Sequence, residues 1–180
     1  MILYTERLVL KEITWDDLED VHHIHSLPEI DKYNTLGIPK DIEETRRVMS
    51  PDIEYLPELP RKSYCWKISL RESKDFIGLA GMFLSQDKFR LGEIYYKILP
   101  DHWGRGYATE VSRALIKTGF EKMNLHKIEA GVATGNVASI RVLEKSGMVR
   151  EGRRRKILPI RGKWKDNYHY AIVEDDPRAY

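Results

Sequence analysis

The chain has 180 residues, 42% of them hydrophobic and 32% charged, and a formal net charge of +2. That length suits one domain over residues 1–180, with a core large enough to need no staple, and the composition argues against disorder. The lone Cys65 excludes an intrachain disulfide and a cysteine zinc cluster, and the near balance of 30 basic and 28 acidic residues lacks the excess of a dedicated nucleic-acid binder.

In chain order, Arg7-Leu-Val-Leu-Lys-Glu-Ile13 is rich in apolar and β-branched residues and reads as a strand. Thr14 before Trp15-Asp16-Asp17 is a helix start, with acids in the first turn, and the helix is predicted through about His25, closed off by Pro28. Asp41 starts a second helix through about Met49. Residues 50–62 carry Pro51, Pro57 and Pro60 and read as loop. Strands are predicted over Tyr64–Leu70, Phe76–Leu84 and Leu91–Leu99, joined by polar turns at Arg71–Asp75 and Gln86–Arg90. The second of these is the longest apolar run, nine residues with two glycines, against about 20 for a membrane span. From Tyr107 the period becomes helical, with Ala108, Val111, Ala114, Leu115 and Thr118 on one face and Asn124 able to end the helix. A short strand follows at His126–Ala133, then a helix at Asn136–Ser146 stopped by Gly147. Two last strands are predicted near Met148–Leu158 and Lys163–Val173. The fold class is α/β, a mixed α+β sheet of about seven mostly antiparallel strands with about four helices.

Charge is unevenly spread. Residues 12–31 hold seven acids and no lysine or arginine, whereas residues 141–170 hold ten basic residues against three acids. The acidic end is expected to favour a positively charged partner. The N-terminus carries charges where a signal peptide needs an apolar stretch, so the expectation is a cytoplasmic protein with no membrane partner.

Leu99-Pro-Asp-His-Trp-Gly-Arg-Gly-Tyr-Ala-Thr-Glu110 is the most informative stretch. A strand ends, two glycines follow and a helix begins at once. Gly104 and Gly106 open backbone conformations closed to other residues, and the free amides of a helix's first turn attract an anion. Read alone, the loop fits a tight turn or an anion site equally. It is not a nucleotide triphosphate loop, because no Gly-Lys-Ser/Thr follows. The dinucleotide fingerprint fails on spacing and on the antiparallel setting of the preceding strand.

Trp103-Gly-Arg-Gly-Tyr-Ala-Thr-Glu110 resembles the acetyl-CoA loop of the GNAT acyltransferase superfamily. Asn136-Val-Ala-Ser-Ile-Arg-Val-Leu-Glu-Lys-Ser-Gly-Met148 resembles that superfamily's second motif. Thr5-Glu-Arg-Leu-Val-Leu-Lys, Leu27-Pro-Glu-Ile-Asp-Lys-Tyr33 and Gly162-Lys-Trp-Lys-Asp-Asn-Tyr168 resemble its branch of ribosomal-protein N-terminal acetyltransferases (RimJ/RimL type). The resemblance covers nearly the whole chain and implies the GNAT-like acyl-CoA N-acyltransferase fold. It implies direct attack of an amine on acetyl-CoA, without an acyl-enzyme and without a metal. Cys65, mid-strand among apolar neighbours, then reads as core.

The resemblance also implies roles. The amides of Trp103, Gly104, Arg105, Gly106, Tyr107 and Ala108, with Thr109, hold the cofactor pyrophosphate. A backbone amide near Ile98 polarises the thioester carbonyl. Asn136 holds the pantetheine arm, and Ser139, three residues on, faces the sulfur and eases departure of the thiolate. On the residues alone, Asn136 reads first as an N-cap and Ser139 as a polar first-turn residue. Leu143 stands where many members carry a tyrosine acid. Glu93 is the candidate base for the acceptor amine, directly or through water, although a plain strand carboxylate reads the same. His22, His23 and His25 read as a solvated helix face, and no third ligand at metal spacing accompanies them. In the basic run Arg150–Lys156, alternation puts Arg153 and Arg155 on one face and Arg154 and Lys156 on the other. That is no single phosphate track, so direct nucleic-acid binding is not expected, and a solvated strand or contact with a CoA 3′-phosphate or ribosomal RNA fits the run equally well. The function expected is acetyl transfer to a protein or peptide α-amine. The alternatives are a small cationic amine, such as a polyamine or an aminoglycoside-like compound, and a CoA-binding module without chemistry. An oligomer is compatible with the sequence.

Overall fold

The computed structural model describes residues 1–86 and 88–180, so residue 87 of the predicted Gln86–Arg90 turn lies outside the described residues. Eight strands and five helices follow in order: β1 (Ile2–Tyr4), β2 (Leu8–Glu12), α1 (Leu18–His25), α2 (Pro28–Asp31), α3 (Ile42–Ile53), β3 (Ser63–Leu70), β4 (Phe76–Leu84), β5 (Leu91–Ile98), α4 (Tyr107–Glu121), β6 (Lys127–Ala133), α5 (Val137–Lys145), β7 (Val149–Ile160) and β8 (Lys163–Val173). The mixed sheet is as expected. The two additions to the expected seven and four are the shortest elements, β1 and α2. Three or four residues show no periodicity to read, and both are set by partners. β1 pairs with β2 across the turn Thr5-Glu6-Arg7, and α2 starts on Pro28 at its first helical position.

Residues 50–53 are a correction. α3 runs on through Pro51 to Ile53, and only residues 54–62 form the connection. Proline removes one helical donor, but Thr45 and Met49 anchor the helix in the interior, and Glu54 N–H still reaches the Ser50 carbonyl at 2.8 Å. Likewise β7 continues through Pro159 to Ile160. It is the edge strand of the sheet, where a missing donor costs little. Its ladder shifts register between Arg150 and Gly152 and between Arg154 and Leu158, and Lys156 has a positive φ of 49°. The expected alternation of the basic run therefore breaks after Arg154.

The sheet order is β1-β2-β3-β4-β5-β6-β8-β7. All neighbours are antiparallel except β5 and β6. That parallel pair is joined only at Leu91↔Lys127, Gly92↔Ile128 and Glu93↔Glu129. Beyond it β5 runs on to Ile98 and β6 to Ala133 without pairing to each other, so the sheet splays open between them.

Helices cover the two faces. Val111, Leu115 and Ile116 of α4 and Leu143 of α5 bury against Leu8, Trp66, Met82 and Ile94. On the opposite face Leu18, Val21 and Ile24 of α1 and Met49 of α3 bury against Cys65 and Leu79. Because strand side chains alternate, β5 serves both: Ile94, Tyr96 and Ile98 face α4 and α5, while Tyr95 faces α1 and α3. Among the described residues no helix is long and apolar enough to cross a membrane.

Candidate active site

The glycine loop starts where β5 ends. Leu99 N–H donates to Ile77 O of β4 at 2.8 Å. Alternation along the strand turns the N–H of Ile98 the other way, into the splay. A single 3-10 turn at Pro100–His102 follows, and the Trp103 indole returns to donate to Ile98 O at 2.6 Å. Gly104 and Gly106 have φ of 75° and 81°, and Gly106 is the N-cap of α4. A Cβ at Gly104 would meet nothing within 4 Å, so glycine is required there by the backbone angle, not by crowding from the protein. The first helical bond is Glu110 N–H to Gly106 O at 3.1 Å. The amides of Tyr107, Ala108 and Thr109 therefore precede the helical ladder and point outward at the positive end of a fifteen-residue helix.

A clamp that the sequence did not reveal pins this loop. The Arg7 guanidinium donates to Arg105 O at 2.9 Å and to Glu110 Oε2 at 2.7 Å, and lies 4.6 Å from the Tyr107 ring centroid. Glu110 Oε1 accepts from Arg7 N–H at 2.9 Å and from the Thr5 hydroxyl. Burial opposes ionisation of Glu110, but the hydrogen bonds from Thr5 and Arg7 outweigh it and hold the carboxyl below its ordinary range. Thr5 and Arg7 belonged to a recognisable opening motif. Nothing in their spacing, however, shows that they meet a residue more than a hundred positions away. A groove of about 590 Å³ leads from Gly106 and Thr109 along α4, past the cations Arg7, Arg113, Lys117 and Lys145.

Across the splay stands α5. Asn136 caps it, its Oδ1 accepting from Ser139 N–H at 3.2 Å. The Ser139 hydroxyl is 2.8 Å from the Tyr96 hydroxyl, a bond that spans the open gap from α5 to β5. The Tyr96 bond to Ser139 and the Trp103 bond to Ile98 O connect α5 and the glycine loop to the open end of β5. Glu93 is not at that end. It is the last paired residue at the closed end of the splay, exposed, five residues or roughly 16 Å down the strand from Ile98.

The opposite face of β5 carries a pair that sequence reading missed. Lys97 Nζ lies 3.0 Å from Nε2 of His25 on α1. His25 is buried, which corrects the expectation of a solvated histidine face; His22 is bonded to Thr45 Oγ1 at 2.7 Å, and only His23 is exposed. Burial, reinforced by Lys97 and His22, pushes His25 down to about 3, so its ring stays neutral. Burial also pushes Lys97 down to about 8. Cys65 nearby is pushed up to about 12 by burial, which suits a core residue and not a nucleophile.

The acidic segment is largely neutralised inside the chain. Asp17 and Asp20 both hold Lys67, at 2.9 and 2.6 Å. Glu12 holds Arg61 at 2.6 Å, and Asp31 holds Arg161 at 2.7 Å. Four of the seven acids are thus paired, and the expected acidic field shrinks accordingly. Arg161 also donates to Pro28 O at 2.7 Å, which ties the β7–β8 turn to α2. Glu129, Glu151 and His169 come within 4.8 Å of one another, but the Lys127 ammonium sits 2.7 Å from Glu151 and 3.4 Å from Glu129 and supplies the positive charge there.

The acetyltransferase (GNAT) domain profile matches residues 7–149. The chain is 34% identical over 173 residues to the uncharacterized N-acetyltransferase YoaA of Bacillus subtilis, covering 96% of this chain and 97% of that one. Two solved structures share the fold. The spermidine N-acetyltransferase of Vibrio cholerae, in complex with CoA and spermine, superposes with a TM-score of 0.84 at 22% identity, over 96% of this chain and 98% of that one. The ribosomal-protein-S5-alanine acetyltransferase of Vibrio fischeri does so with 0.83 at 20%, over 98% of each. With a splayed mixed sheet and a glycine loop capping α4, the chain belongs to the GNAT family of acetyltransferases.

Proposed function

We propose that this acetyltransferase moves the acetyl group of acetyl-CoA, by direct attack, to the N-terminal α-amine of a protein or peptide. The residues fit the donor. The outward amides at Gly104–Thr109 suit its pyrophosphate, and the cationic groove beside them suits the remaining phosphate. The Ile98 amide, aimed into the splay, stabilises the negative charge that builds on the thioester oxygen. Asn136 orients the pantetheine arm. Ser139 donates to the departing sulfur, whose thiol has an ordinary pKa near 8.5. Glu93, roughly 16 Å down the strand from Ile98, takes the acceptor's proton only by way of a chain of waters.

The observation that carries the choice of acceptor is Lys97. It is the residue next to Ile98, on the face opposite the cofactor loop, and most of it is protonated at pH 7. An ammonium there opposes a polycation, and the attacking amine must in any case arrive neutral, since a protonated amine has no lone pair to attack with. An α-amine has a pKa near 7.7–8.0, so about a quarter is neutral at pH 7.4, against about one part in a thousand for a lysine amine near 10.4. A ribosomal-protein N-terminus is one acceptor of this class. The second reading, a small cationic amine, rests on the exposed Glu93 carboxylate at the closed end of the splay.

Thiol release from acetyl-CoA tests the proposal. A peptide with a free N-terminus should outcompete the same peptide with a blocked terminus and an internal lysine, and its advantage should shrink from pH 7 to pH 9. Equal kcat/KM on both at pH 7 would sink the reading, and preference for spermidine over both would favour the second one.

A further inference from the structure

Among the described residues four serines in helices or at their ends bond through their hydroxyls, and Ser50 of α3 donates to the Glu54 carboxylate. Ser26 at the end of α1 and Ser146 at the end of α5 each donate back to the carbonyl four residues earlier, His22 O at 2.7 Å and Val142 O at 2.8 Å. That is the ordinary resting place of a helical serine proton, and it points along the backbone. Ser139 is held differently. The Tyr96 hydroxyl reaches it from β5 at 2.8 Å and is 3.4 Å from the Ser139 carbonyl.

We propose that Tyr96 is a positioning residue for the reaction: its hydroxyl donates to Ser139 Oγ and thereby turns the Ser139 proton into the cleft, toward the departing sulfur. The inference rests on the role given to Ser139 above.

Three observations support the direction of the bond. The phenol has one hydrogen, and Ser139 Oγ at 2.8 Å lies nearer to it than the Ser139 carbonyl at 3.4 Å, so the hydroxyl is its better acceptor. A phenol is also the stronger acid of the two hydroxyls. Burial pushes the Tyr96 pKa up, against the lowering effect of the Ser139 bond, so the phenol keeps a hydrogen to donate. Once Ser139 Oγ accepts from Tyr96, its own hydrogen is free for a third atom, and hydrogen bonds in such a chain strengthen one another. As the C–S bond breaks, the electron pair goes to sulfur. Ser139 donates its hydrogen bond there while Tyr96 supports the serine oxygen, and no proton leaves the tyrosine.

Tyr96→Phe keeps the ring and removes only the hydroxyl. The test measures kcat, KM and the acetyl-CoA Kd for Tyr96→Phe, Ser139→Ala and the double variant. Tyr96→Phe should lower kcat about three- to tenfold, the worth of one net hydrogen bond, with KM and Kd unchanged. The double variant should match Ser139→Ala alone, because without the serine there is nothing left to position. Full kcat in Tyr96→Phe, with Ser139→Ala impaired, would overturn the inference and leave the role of Ser139 standing. Multiplying losses would overturn it as well, since Tyr96 would then act apart from Ser139. Full kcat in Ser139→Ala would remove the reading beneath it.

Discussion

The two faces of β5 are built from different materials. On the α4 and α5 side much of what is available to a ligand is backbone, the Ile98 amide, the outward amides of Tyr107–Thr109 and two glycines at positive φ, with the Asn136 and Ser139 side chains across from them. On the α1 and α3 side they are side chains from distant segments, Lys97 with His25 and, further along, Lys67 with Asp17 and Asp20. Backbone amides fixed at a helix start offer the same site whatever side chains surround them, which suits an unchanging cofactor. Paired side chains are free to differ from one relative to the next, which suits an acceptor that differs.

Replacing Gly106 would break the first half of that comparison most severely. Gly106→Val puts a β-branched residue at φ 81°, and its Cβ would stand 3.5 Å from the Arg7 guanidinium. The left-handed conformation costs about 1–2 kcal/mol, so the domain should stay folded. The loop amides, however, lose their aim. Acetyl-CoA affinity should fall about a hundredfold or more, equivalent to about 2.7 kcal/mol. Calorimetric titration measures it, and unchanged affinity in a folded variant would remove this loop from the cofactor site.

The same division decides what could be read from the sequence. The glycine loop and the Asn136 cap are local devices, written in adjacent residues, and their elements fall where periodicity and capping put them. The splay was invisible because pairing that stops at Glu93 leaves no mark on β5 or β6 themselves. Arg7 with Glu110, Tyr96 with Ser139 and Lys97 with His25 were equally invisible, since each joins residues separated by 43 to 103 positions. His25 shows the cost of reading composition. Among acids on a short helix it looked solvated, yet it lies one turn from Val21 on the buried face. α3 running through Pro51 has the same origin, for burial of Met49 outweighed a local breaker.

A smaller effect sharpens the second half of the comparison. Lys97 is depressed from 10.5 to about 8, with neutral His25 bonded to it, His22 beyond on α1 and Cys65 facing it from β3. Between those two values the unfolded chain holds a proton that the folded chain has released. Stability therefore rises with pH through that window, and the cost of burying the ammonium is full below pH 8. Lys97→Met removes this dependence. The stability difference between variant and parent should move by about 2 kcal/mol in the parent's favour from pH 7 to pH 10. Urea unfolding at both pH values reads it directly. A difference that stays constant would mean that Lys97 titrates normally and that its burial does not depress it.

Amide hydrogen exchange with and without CoA tests most directly the claim that one face holds the cofactor through backbone and the other waits for the acceptor. The amides of Ile98 and of Tyr107, Ala108 and Thr109 should slow markedly on binding, while those of α1 and α3 keep their rates. Protection that appears in α1 and α3 and spares the loop would contradict the account.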